Sequence, residues 1–285
     1  MIDVLVLNYN DAQTTTYFVK SIEAYECIRK ILIVDNHSSD DSLKKLRVLQ
    51  NKKILVVDSG RNGGYGAGNN FGVRYLVEKY NSEHILVCNP DVEVEEKTIR
   101  ELSLFLKKNS EYAVVAPLMK ILKKGNQYSV LKKSNTFFFV MSVEMFFSKI
   151  FSPLYLDVSS LKQNTYIDVF SVGGSLFMID SAKVADFELY DENIFLYFEE
   201  LVLGLRCEEK KYKVALLPNI SFIHKHSVSI SKTYSNVVKR HMVYLRSYRY
   251  VVKHYFNSNL LYYILSYVMS GISMFENFVW SQIKR

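Results

Sequence analysis

The stretch 84–94, HILVCNPDVEV, runs an apolar segment straight into Asn89-Pro90-Asp91. Proline fixes φ and removes a backbone donor, so the run stops there. The carboxylate behind it is either part of a plain turn or a group waiting for a cation. The neighbouring runs set the context: VLVL (4–7), ILIVD (31–35), ILVVD (54–58) and AVVAP (113–117) recur at roughly regular intervals. Amphipathic segments at 12–26 and 68–80 lie between them. Near-continuous apolar strands separated by helices predict an α/β fold whose mostly parallel sheet is covered on both faces. Ligands of such sheets bind at the carboxyl ends of the strands. That directs attention to Asn8, Asn10, Asp35, Asn36, Asp58, Asn89 and Asp91.

Composition narrows the class. The chain has 285 residues, 49% hydrophobic and 23% charged, with a net charge of +7. Neither a disordered tail nor a multispan membrane protein has that balance. Cys27, Cys88 and Cys207 are odd in number and contain no CxxC pair. They are expected as reduced thiols in the cytosol, not as a disulfide framework or zinc site. MIDVLVLNYN has an acid and no basic flank, so it reads as a first strand rather than a signal peptide.

From about 120 to 168 the pattern breaks into a basic polar stretch and a phenylalanine-rich one. DVFSVGGSLFMID then resumes strand character, with Gly173 and Gly174 permitting close backbone approach. A helix over about 199–211 is expected next, then strands KVALLP and ISFIHKH, then helices from about 235 onward.

Several short motifs have both a structural and a chemical reading. GRNGGYGAGNN (60–70) is a glycine-rich turn into a helix; it lacks the P-loop lysine, and Asn69 stands where GxGxxG needs its last glycine. Such a turn either joins strand to helix or offers N–H groups to an anion. Asp35-Asn36 reads as a turn with Ser38 or Ser39 available as a helix cap, or as an acceptor for the imide N–H of a pyrimidine. Asn89-Pro90-Asp91 offers the hard oxygen ligands that suit Mg2+ or Mn2+ on a diphosphate. Glu199 and Glu200 open a helix, where the dipole favours acids, and one of them is also placed to serve as a general base. Adjacent side chains diverge by about 100° on a helix, so only one points into a site. His224 ends an apolar strand and becomes a metal ligand only if that strand finishes beside Asp91.

In order, VLVLNYN, ILIVDNHSSDDS, NGGYGAGNNFG, CNPDVEV, VGGSLFMI, YDENIFLYFEE and YKVALLPNISFIHKHSVS resemble the family-2 inverting glycosyltransferases, especially their rhamnosyltransferase-like branch. Each motif is weak alone, and the ordered succession from residue 2 to about 230 is specific. The resemblance implies a GT-A fold with a catalytic domain over 1–234, its donor half at about 1–118 and its acceptor half at about 119–234. It implies that Asn8, Asp35, Asn62 and the Gly63–Gly66 turn cradle the nucleotide, with Asn10, Asn36, Asn69 and Asn89 on the same donor side and Gly173-Gly174 on the acceptor side. Asp91 and His224 would hold Mg2+ or Mn2+, and Glu200 would be the base, with Glu199 its neighbour. The implied reaction moves rhamnose, or next a hexose, from a dTDP- or UDP-linked donor to a glycan or lipid-linked acceptor in cell-surface polysaccharide synthesis. One departure stands out: the family often reads E-[DE]-x-D at this helix start, and here the last position is Val202.

Competing readings are a nucleotidyltransferase, which needs basic residues in the glycine turn where only Arg61 stands, and a catalytically silent nucleotide-sugar-binding partner subunit, for which Val202 is the one hint. Nucleic acid is not expected. Over 235–285 two amphipathic helices are expected. In 236–256 Lys239, Arg246, Arg249, Lys253 and His254 lie on one side, with Val238, Leu245, Tyr248, Val251 and Val252 largely opposite. In 260–280 Leu261, Ile264, Leu265, Val268, Ile272, Phe275 and Val279 form a stripe, interrupted by Ser266, Ser270, Ser273 and Glu276 and short of the ~18–20 apolar residues of a span. Tyr262, Tyr263, Tyr267 and Trp280 suit an interface, and aromatic residues of 137–151 are expected to add to the same surface. These helices either dock an anionic membrane, on the cytoplasmic side, or pack on the catalytic domain, or build a homodimer.

Overall fold

A computed structural model describes residues 2–121, 125–126, 130–142, 165–225, 237–256 and 259–283. The first half alternates as expected: β1 (Ile2–Asn8), α1 (Ala12–Ile22), β2 (Ile28–Asp35), α2 (Ser42–Arg47), β3 (Ile54–Asp58), α3 (Tyr65–Tyr80), β4 (His84–Cys88), the short β5 (Val92–Glu93), α4 (Glu96–Lys108) and β6 (Tyr112–Ile121). Then come β7 (Gly125–Asn126), β8 (Val130–Leu131), α5 (Thr136–Met141), β9 (Ile167–Val169), β10 (Ser171–Val172), β11 (Leu176–Asp180), α6 (Ser181–Ala185), α7 (Glu199–Glu209) and β12 (Lys213–His224). Helices α8 (Val237–Tyr255) and α9 (Leu260–Ile283) complete the described chain. Much of the phenylalanine-rich stretch, including 143–151, lies outside the described residues.

The main sheet has the order β3-β2-β1-β4-β11-β6-β12-β5. Successive residues of β1 point to opposite faces: Val4 and Val6 join one apolar cluster with α1 and α4, while Leu5 joins another with α3 and α7. Both faces are buried, which explains why these strands lack a polar alternation.

The sheet holds one pairing not announced by the sequence and one correction to it. β11 lies between β4 and β6 and runs antiparallel to both. An antiparallel strand begins where its parallel neighbour ends. Leu176 therefore pairs with Cys88, and Gly174 arrives at the carboxyl edge. KVALLP and ISFIHKH are a single strand, β12, parallel to β6, with a register irregularity between Leu217 and Ser221 where Pro218 cannot donate.

The C-terminal helices divide the expected alternatives. Leu245, Tyr248, Val251 and Val252 of α8 are buried in a third cluster with Phe139 of α5 and Leu201 and Val202 of α7, so this helix packs on the catalytic body. Helix α9 faces the other way. It buries Ser266, Met269, Ser270 and Ser273, and exposes Leu261, Ile264, Val268, Ile272, Phe275 and Val279. Among the described residues no helix is long and apolar enough to cross a membrane.

Candidate active site

Parallel register does the first assembly step. Asn8 pairs with Asp35 and Asp35 with Asp58, so the strand-end polar groups stand side by side. Asn8 Nδ2 donates to Asp35 Oδ2 at 2.8 Å, and Asn8 Oδ1 accepts from Thr15 Oγ1 at 2.8 Å. Ser38 does not cap the following helix, which starts at Ser42 after Asp41. Its amide and hydroxyl instead donate to Asp35 Oδ1 and Oδ2, both at 2.8 Å. Ser39 likewise turns back, its amide donating to Asn10 Oδ1 at 2.8 Å. Asp35 is fully buried in this network.

Asn36 links that edge to the glycine-rich turn, donating from Nδ2 to Asn62 Oδ1 at 3.1 Å and to Gly64 O at 3.0 Å. Gly64 has φ +93, and a Cβ there would collide with the Phe195 backbone. Only glycine gives both that torsion and that approach. Gly63 and Gly66 flank it, and a Cβ at Gly66 would sit 3.0 Å from that of Tyr190. Asn69 is buried and donates to Tyr65 O at 3.0 Å, serving its own helix.

Past β4, β5 pairs antiparallel with the end of β12, matching His224 to Val92, and Lys225 N donates to Asp91 O at 2.9 Å. This pairing brings His224 Nε2 to 3.3 Å from Asp91 Oδ1, with both side chains largely buried. Two cis ligands about 2.1 Å from an octahedral cation stand about 3 Å apart, so the pair fits one hard divalent ion. No cluster of three or more His, Cys, Asp and Glu side chains suited to a metal exists among the described residues. Mg2+ and Mn2+ accept such a sparse protein set when phosphate oxygens and water fill the rest.

The opposite wall is α7. Glu200 is half-buried, and its Oε1 accepts from Gly174 N at 3.0 Å. A Cβ on Gly174 would lie 2.9 Å from that oxygen, which is the close approach expected of this glycine. Gly173 precedes it in the same turn. Tyr65, not singled out from the sequence, bridges the two walls. Its hydroxyl lies 2.6 Å from Gly174 O and 3.2 Å from Asn89 Oδ1. An aromatic residue inside a glycine run was the one available signal. Burial, then the charges of Glu200 and Glu199, hold the Tyr65 hydroxyl well above its ordinary pKa, so it stays a proton donor.

The two glutamates differ in environment. Glu199 is buried, with Oε1 lacking any hydrogen-bond partner. Burial first and the Glu200 charge second push its carboxyl up to about 8. Burial also raises the Glu200 carboxyl, with the Gly174 amide opposing the rise. A carboxylate made more basic by burial and held by one backbone amide is suited to serve as a general base.

The family model for glycosyl transferase family 2 matches residues 3–178. The chain belongs to that family. Among curated relatives, a low-salt glycan biosynthesis hexosyltransferase of Haloferax volcanii is 25% identical over 80% of this chain and 68% of its own length. A rhamnosyltransferase of Escherichia coli is 22% identical over 91% of this chain and 96% of its own. A dTDP-rhamnosyl transferase of Shigella flexneri is 21% identical over 77% and 67%. Two of these three relatives are named as rhamnosyl transferases. Among solved structures, GalNAc-T7 with UDP, GalNAc and Mn2+ superposes with a TM-score of 0.62 at 14% identity, covering 80% of this chain and 44% of that one. A mannosyltransferase from Pyrobaculum calidifontis in complex with GDP-Man and Mn2+ gives 0.57 at 10% identity, covering 96% and 69%. The glycosyltransferase has the GT-A fold.

Proposed function

We propose that this glycosyltransferase inverts the anomeric centre of a dTDP- or UDP-linked sugar, rhamnose first and a hexose next, in building a cell-surface polysaccharide. The observation that carries the reading is the hydrogen-bonded chain Glu200–Gly174–Tyr65–Asn89, which ties a base at the start of α7 to the strand end that leads into Asp91. Glu200 takes the proton of an acceptor hydroxyl. That oxygen bonds to the anomeric carbon as the bond from carbon to diphosphate breaks, and the bonding pair leaves with the diphosphate. A single displacement of this kind needs no protein nucleophile. Asp91 and His224 would hold Mg2+ or Mn2+, which supplies positive charge against the leaving diphosphate when bound. Asn8, Asn10, Asp35, Asn36, Asn62 and the Gly63–Gly66 turn form the donor edge. Asp35 Oδ1 accepts one hydrogen bond, from Ser38 N, and its second lone pair is the acceptor for a pyrimidine imide.

The donor half spans about 1–118 and the acceptor half about 119–234, with 235–285 as the membrane-facing unit. Seven of the 36 Lys and Arg but only Glu276 of the 29 acids fall in 235–285, so six of the seven excess positive charges are there. Arg249 and Lys253 lie over the rings of Tyr267 and Tyr263, beside the exposed stripe of α9. Tyrosines and cations flanking an apolar face suit an anionic bilayer, which supports the reading that the enzyme docks on the cytoplasmic face, where a lipid-linked acceptor would reside.

A thermal-shift panel of nucleotide sugars, followed by turnover of each stabilising donor, tests the reaction. Glu200→Gln should lower kcat by about a hundredfold or more while leaving donor affinity intact, as expected for a general base. Stabilisation only by purine-linked donors would overturn the pyrimidine assignment. Donor binding without release of nucleoside diphosphate would favour the silent partner subunit.

A further inference from the structure

The segment entering the helix of the base is backbone-strained. Tyr197 and Phe198 have φ of +76 and +71, two consecutive non-glycine residues in the left-handed region immediately before Glu199. Such torsions persist only where the surroundings over-determine them. The helix supplies no help of its own, because the N-cap residue Phe198 makes no side-chain cap bond.

The restraint comes from two directions. On the donor side, Tyr65 N donates to Phe195 O at 3.0 Å, and the Asn70 amide bonds both Tyr190 N and Tyr190 O. On the other side stands α8. Ser247 Oγ donates to Leu196 O at 2.7 Å. Tyr250 and Tyr255 hydroxyls both donate to Asp191 Oδ2, at 3.0 and 2.7 Å, while Asp191 Oδ1 accepts from the Asn193 amide. The Phe198 ring packs on Tyr244, 4.9 Å between centroids, and Tyr197 meets the edge of the same tyrosine at 5.4 Å. One turn further, Val202 is fully buried with Leu245, Tyr248 and Val251. The position where the resemblance leads one to expect a carboxylate is therefore an apolar contact to α8.

We propose that α8 is a positioning element for the base, with Ser247, Tyr250 and Tyr255 fixing the 190–198 segment through Leu196 and Asp191 and so setting where the Glu200 carboxylate stands. This rests on the reading of Glu200 as the base. The three hydroxyls bond Leu196 O and the Asp191 carboxylate, and so act through placement of the segment that leads into α7. In this chain α8 supplies the support that Val202 does not.

The test compares full-length parent, Tyr250→Phe with Tyr255→Phe, and Ser247→Ala. The phenylalanine pair keeps the rings and removes both donors to Asp191. For the donor identified in the panel, kcat is expected to fall about tenfold in the pair, with KM and the affinity for the free nucleoside diphosphate within about twofold of parent. Ser247→Ala should show the same split on a smaller scale. A merely structural role would lower only the active fraction, so kcat is taken per nucleoside-diphosphate-binding site counted by titration, and on that basis it would equal the parent's. Hydrogen exchange at the amides of 197–202 reads the positioning without any turnover, and should accelerate about tenfold in the pair. If the pair does not fold, Ser247→Ala carries both readouts. Parental kcat and parental exchange in the folded variants would overturn the proposal, and so would equal losses in kcat and donor affinity. A parent lacking turnover with every donor would refute the reaction instead, while the exchange measurement would still decide the positioning.

Discussion

Replacing Glu199 with Gln should remove the pH dependence of stability that this residue imposes. In the folded chain its carboxyl is raised to about 8 by burial and by Glu200, and Oε1 has no partner. In an unfolded chain a glutamate titrates near about 4.3. The folded state therefore binds the proton more tightly between these values. Its stabilising effect is complete below the unfolded pKa, declines as pH rises, and is gone above the folded pKa. One proton gives a slope approaching about 1.4 kcal/mol per pH unit, so the window from pH 5 to 8.5 carries up to about 4 kcal/mol. Glutamine keeps the shape and cannot ionise. An unsatisfied amide group costs about 1–3 kcal/mol, which offsets part of the gain. Glu199→Gln should thus be no more stable than parent at pH 5 and more stable by about 1–3 kcal/mol at pH 8.5. Isothermal urea unfolding at five pH values, with m unchanged, measures this directly. Parallel stability curves for the two proteins would refute the argument, as would a parent that gains stability toward pH 8.5. At the active-site level, Glu199→Gln should lower kcat less than Glu200→Gln; the reverse order would reassign the base.

Asp91→Ala, and separately EDTA, should abolish most turnover if the proposed site at the Asp91–His224 pair holds the cation; undiminished activity in either removes the metal from the reaction. Val202→Asp, although it restores the residue more usual in the family, should destabilise by about 3 kcal/mol or more, since it buries an unpaired carboxylate among Leu245, Tyr248 and Val251; urea unfolding against Val202→Ala separates charge from cavity. Ile264→Asp with Phe275→Asp on the exposed stripe of α9 should abolish co-sedimentation with anionic liposomes while leaving unfolding unchanged. Truncation at 234 is a poorer probe, because α8 also carries core residues. Intact protein that stays in the supernatant at low salt, or a dimer that the two aspartates dissociate, would assign the stripe to assembly.

Local features were legible without tertiary information. Apolar runs such as ILIVD and HILVCN are long enough to declare buried strands, and a parallel ladder then aligns their polar ends automatically, so Asn8, Asp35 and Asp91 could be located before any geometry was known. Gly63, Gly64, Gly66 and Gly174 announced backbone approach because close packing leaves no room for a Cβ. Distant pairings were not legible. Apolar periodicity carries no direction, so nothing in SLFMID marks β11 as antiparallel, and that reversal is what brings Gly174 to Glu200 and Asn89. His224 meets Asp91 only through the pairing of β5 with β12, between segments far apart in the chain. Amphipathicity gave two faces for each C-terminal helix without saying which one the body covers. The body buries the apolar face of α8 against α7, and α9 then has only its serine-rich face close to α8, leaving its hydrophobic stripe outward; that choice is made by shape and packing between elements, which a one-dimensional pattern does not contain.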